Sequence, residues 1–89
     1  MRSYAFRLQK GQDIKKEIKQ FVKEHNIQAG ILLTAVGCVD KVVIRMAGDM
    51  PEKFNIRTYR EKLEIVSLVG TVSPEDSHLH ISLSNKDGQ

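Results

Sequence analysis

Large apolar and polar residues alternate from the first residues onward. Tyr4, Phe6 and Leu8 fall between Ala5, Arg7 and Gln9, a period of two that predicts a first strand with its bulky groups on one face. Gly11 ends this run, and Asp13 offers a carboxylate to the orphan amides of a helix start. Ile14, Ile18, Phe21, Val22 and His25 then form one stripe of a 3.6-residue helix, expected to stop near Asn26 as its C-cap, with Lys23 in the last turn. Ile27 and the run Ile31, Leu32, Leu33, Ala35 and Val36, closed by Gly37, predict a central strand buried on both faces. Val39, Val42, Val43, Ile44 and Met46 predict further β-branched strand, and Gly48 to Lys53, with Pro51, a loop.

Two more strands are expected at Phe54 to Tyr59 and Leu63 to Val72, the second ending before Pro74 because proline cannot donate to a ladder. The last, His78 to Ser84, has the cleanest alternation in the chain. Leu79, Ile81 and Leu83 face one way, and His78, His80, Ser82 and Ser84 the other. Asn85-Lys86-Asp87-Gly88 is a turn signal with no strand after it, so the sheet edge is expected to be completed by further residues or by another chain.

At 89 residues the chain is expected to be one domain. A domain of this size buries only ~60% of its unfolded surface, so self-association is expected to supplement the core. Fourteen basic and 11 acidic residues leave a net charge of +3, which tolerates an acidic partner without forming a nucleic-acid footprint. Lys15, Lys16, Lys19 and Lys23 interleave along the chain with Asp13, Glu17 and Glu24, which reads as a solvated helix face and a poor recognition helix. Direct DNA binding is therefore expected to be weak and non-specific. A single Cys38 and no secretory apolar segment before Arg2 imply a reducing, cytoplasmic setting, and no apolar run approaches the ~20 residues of a membrane span.

Candidate chemistry centres on His78-Leu79-His80, which places two imidazoles on one strand face ~7 Å apart, within reach of one metal ion. A zinc site needs a third ligand, for which His25, Cys38, Glu75 and Asp76 are the remaining candidates. Of these, His25 continues the apolar helix stripe and Cys38 reads as a small hydrophobe, so neither is taken as a site residue. Glu61 and Glu64, beside Arg60 and Lys62, suit either an edge ion pair or an interface. No phosphate-binding glycine loop and no Cys–His catalytic pair occurs, which points away from an enzyme.

The order Arg7-Leu8, Gly11, Asp13-Ile14, then Thr34-Ala35-Val36-Gly37, then Leu63 to Pro74, and finally His78-Leu79-His80-Ile81-Ser82-Leu83-Ser84 resembles the plants and prokaryotes conserved domain, also called DUF296. The likeness runs the length of the chain and is most specific in Glu64 to Thr71 followed by His78 to Leu83. It implies an α/β (α+β) domain with a bent, largely antiparallel sheet and one main helix, assembled as a homotrimer. It further implies a non-enzymatic, DNA-associated and transcription-regulatory role, in the stand-alone form that lacks an AT-hook. The family's partner-binding stretch corresponds to Lys62, Leu63, Glu64, Ile65 and Val66, its glycine and phenylalanine being replaced here. Some members bind zinc through the two histidines matching His78 and His80 plus a histidine of a later Gly-Gly-His-Leu stretch. That stretch is absent from residues 1–89, so the resemblance implies a chain lacking the family's C-terminal strands and binding metal weakly at most. The alternative is a zinc protein or metal-dependent enzyme whose third ligand lies outside these residues.

Overall fold

The computed structural model describes residues 2–45 and 56–89. One helix, α1 (Ile14–Glu24), precedes six strands: β1 (Gly30–Leu32), β2 (Cys38–Val39), β3 (Val42–Arg45), β4 (Ile56–Tyr59), β5 (Leu63–Val72) and β6 (Ser77–Ser84). The fold is α+β, and it matches the expected class: β1 and β2 run antiparallel to β5, and β3 antiparallel to β4. β1 pairs with the end of β5, Gly30 opposite Val72 and Leu32 opposite Gly70, while β2 pairs with its start, Cys38 opposite Glu64 and Val39 opposite Leu63. β6 also pairs with β5, which completes a four-stranded sheet, and β3 and β4 form a separate two-stranded one. No helix among the described residues is long and apolar enough to cross a membrane.

Contacts divide the chain into two compact units. The first comprises residues 1–32 and 70–79. In it Asp13 caps α1 as expected, its carboxylate accepting from the Lys16 amide at 3.1 Å. The helix ends one residue earlier than the sequence suggested, with His25 as the cap and Asn26 beyond it at φ 52. The Asn26 amide donates to the Lys23 carbonyl and the Ile27 amide to that of Val22, the Schellman pattern that satisfies two of the last carbonyls. Ile18 and Val22 are the buried centre of the stripe.

The expected first strand is not one. Residues 2–9 adopt no regular secondary structure. Their alternation serves aromatic packing instead. Phe6 stacks on Phe21 with centroids 4.2 Å apart, and Tyr4 meets the edges of Phe21 and His25 at 5.5 and 5.0 Å. His25 is exposed yet engaged, its ring 4.0 Å from that of Phe21 and its Nδ1–H donating to the Phe21 carbonyl at 3.1 Å.

Gly70 is closely approached by β6, because a Cβ there would collide with the backbone carbonyl of His78. Ser73 closes the link between β5 and β6: its amide and its hydroxyl both donate to the Asp76 carbonyl, at 2.9 and 3.0 Å, and the Asp76 amide donates to Ser73 Oγ.

The second unit comprises residues 33–69 and 80–89 and is built on Leu63 and Leu68, both buried. Burial along β5 alternates from Leu63, changes phase between Ser67 and Leu68, and so brings two leucines five positions apart into cover. The central strand expected through Val36 is shorter and less covered than predicted. Regular pairing stops at Leu32, and Leu33 and Val36 are 76% and 90% exposed. A run of bulky apolar residues signals that cover is needed, not that the same chain supplies it. Met46 and Phe54, expected in strands, and the loop at Gly48 to Lys53 lie outside the described residues. The Asn85 to Gly88 turn forms as expected: the Gly88 amide donates to the Asn85 carbonyl, Asn85 Oδ1 accepts from Asp87 and Gln89, and Gly88 takes φ 79.

Candidate functional site

Two places in the fold hold the residues singled out by the sequence. The first is the start of β5. Leu63 is buried there, whereas Lys62, Glu64 and Val66 are exposed and Ile65 is half-buried. The strand is anchored on one side, where Glu64 stands opposite Cys38 and the Ile65 amide donates to the Gly37 carbonyl at 2.7 Å. Of the five residues at the expected partner stretch, Leu63 therefore holds the strand in place, and Glu64 and Val66 present the outward face.

Further apolar residues are exposed in this unit besides the Lys62 to Val66 stretch. Within the same unit Val43, Val66 and Val69 are also exposed, together with Leu33 and Val36. Sequence reading placed Leu33 and Val36 in a core, whereas both are exposed.

The second place is β6, where the alternation is as expected: Leu79, Ile81 and Leu83 are half-buried, and His78 and His80 exposed, two positions apart on one strand. His78 lines an open cleft of about 560 Å³ with Gly30, Ile31, Thr71, Val72 and Asp76. The Asp76 carboxylate accepts from the Ser77 amide at 2.8 Å, and His25 is engaged with Phe21 and Tyr4. Among the described residues no three His, Cys, Asp or Glu side chains are grouped to hold a metal ion. The described residues therefore do not by themselves fit a zinc ion at the two histidines. Cys38 is exposed at the edge of the sheet, not packed as a small hydrophobe.

Two Synechococcus proteins, each named bifunctional protein GlmU, are 36% (strain JA-3-3Ab) and 33% (strain JA-2-3B'a(2-13)) identical over 89 residues. The whole chain is matched in both, yet it spans only 14% and 13% of their lengths. A crystal structure from Bacteroides thetaiotaomicron, of a protein provisionally described as DNA-binding, superposes with a TM-score of 0.67 at 28% identity, covering 85% of this chain and 54% of that one. The model of the Plants and Prokaryotes Conserved (PCC) domain matches residues 1–89, and the chain belongs to that family.

Proposed function

We propose that this chain is a non-enzymatic, DNA-associated assembly module that works as a homotrimer, with Lys62 to Val66 and the outward face of β5 forming the contact between copies. The observation that carries the reading is the exposure of Val66, 63%, on a strand that pairs with β1, β2 and β6. An exposed valine on a paired strand leaves apolar surface to be covered, and burial of such surface is worth roughly 25 cal/mol per Å². Other apolar residues of the same unit are exposed as well, and a small domain buries a low share of its surface, which favours assembly. Membership of the PCC family and the description of the Bacteroides neighbour support the association with DNA.

Light scattering tests the assembly. The expected mass is three times the 10.1 kDa chain, and Val66→Asp is expected to reduce it to one copy while leaving far-UV circular dichroism unchanged. A single-copy particle in the unaltered protein that still melts cooperatively refutes the reading. Val66 is the informative position because Leu63, in the same stretch, is buried, and a charge there would unfold the unit.

A further inference from the structure

In the sequence, the lysines and acids of α1 alternate, but on the helix they separate. At 100° per residue, Lys15, Lys16, Lys19 and Lys23 fall within an arc of about 100°, whereas Asp13, Glu17 and Glu24 cluster in an arc of about 40° on another flank. All four lysines are exposed, and the described residues place no ion pair on any of them. The acids are occupied locally: Asp13 caps the helix, Glu17 is half-buried in the first turn, and Glu24 accepts from Gln20 Nε2 at 3.0 Å. The face between them and the lysines holds Gln20 and no charge.

We infer that this lysine stripe is a contact surface for the phosphate backbone of duplex DNA. The inference rests on the DNA-associated reading above and names the surface that would serve it. Lys15, Lys19 and Lys23 are spaced one turn apart at ~6 Å steps along the axis, and each DNA strand presents a phosphate every ~3.4 Å of its own axis. A stripe of ammonium groups on such a spacing meets phosphates in a row. Lysine reaches phosphate as a point charge and reads no base edge, so the contact positions the protein without selecting a sequence. An anionic lipid surface fits less well, because a helix lying on a membrane needs an open apolar face beside its basic one. Here that face is closed: Ile18 and Val22 are buried, and Phe6 and Tyr4 cover Phe21.

The test is fluorescence anisotropy of a labelled duplex of about 20 base pairs with the full chain, from roughly 50 to 200 mM salt. Four phosphate contacts give a slope of log affinity against log salt of about −3.6, hence about a 100-fold loss over that range. Lys19→Gln with Lys23→Gln is expected to reduce the slope by about 1.8, and all four Lys→Gln changes to remove most of it. Glutamine matches lysine in helix propensity, and circular dichroism confirms that α1 persists. Arg45→Gln with Arg57→Gln, the same charge change on the β3–β4 ribbon, is expected to leave the slope unaltered. Binding that keeps its slope in the four-lysine variant, or loses it in the arginine pair, overturns the assignment to α1 while sparing DNA association. No binding to duplex by the unaltered chain overturns both, and binding to phosphatidylserine vesicles without binding to duplex replaces the partner.

Discussion

The two compact units meet the same shortage of apolar cover in different ways. In the unit of residues 1–32 and 70–79, α1 closes its own backbone bonds and has one stripe to hide. Ile18 and Val22 are buried, and the segment before the helix lays Tyr4 and Phe6 over Phe21. In the unit of residues 33–69 and 80–89, strands present two faces each. Leu63 and Leu68 bury one, and Val36, Val43, Val66 and Val69 remain open on the rest. A helix needs cover along one line, whereas a sheet needs a layer on either side. The contrast teaches that the apolar surface left open in this chain lies on its strands and the segments joining them, not on its helix.

Perturbations can sharpen or break that contrast. The largest effect is expected at Gly70, where any Cβ meets the His78 carbonyl and backbone must give way. Gly70→Val is expected to cost about 3 kcal/mol or more, visible as loss of the cooperative thermal transition. Next come the two cores: Ile18→Ala and Leu68→Ala each remove a buried side chain and are expected to cost about 2–5 kcal/mol in urea unfolding. One transition shifted by either change would show that the units unfold together, and two separate transitions, each shifted by one change, would show that they do not. A smaller effect, about 1 kcal/mol, is expected from Asp13→Ala, which removes the N-cap of α1 and should be restored by Asp13→Ser. The smallest is expected from Val36→Ser. On an isolated chain a residue 90% exposed should matter by less than about 0.5 kcal/mol. If the open face is the contact between copies, the same change should flatten the rise of Tm with protein concentration.

How much could be read from residues alone follows from how local each cause is. The helix was legible because its periodicity, the Asp13 cap and Lys23 in the last turn all lie within one element. β5 and β6 were legible because the first ends before Pro74 and the second alternates without interruption. Tyr4 to Leu8 misled for a physical reason: a period of two records which side of an extended chain is covered, and aromatic rings on a helix cover it as well as a neighbouring strand does. Leu33 and Val36 misled because hydrophobicity is indifferent to whose atoms do the covering. At the candidate site the Lys62 to Val66 stretch was visible in the sequence, but its division into a buried Leu63 and an outward Val66 depends on strand pairing. The charge pattern of α1 was present in the letters, yet a linear reading mixes signs that a winding of 3.6 residues per turn sorts apart.

The absent side chain at position 70 also acts as a register key. Slipping β6 along β5 by one residue would set Val69 or Thr71 against the His78 carbonyl, and neither can shed its Cβ. Such a slip would also turn every side chain of the moved strand to the opposite face. A single hydrogen atom, standing where other residues carry carbon, thereby leaves room for the His78 carbonyl at this one place on β5.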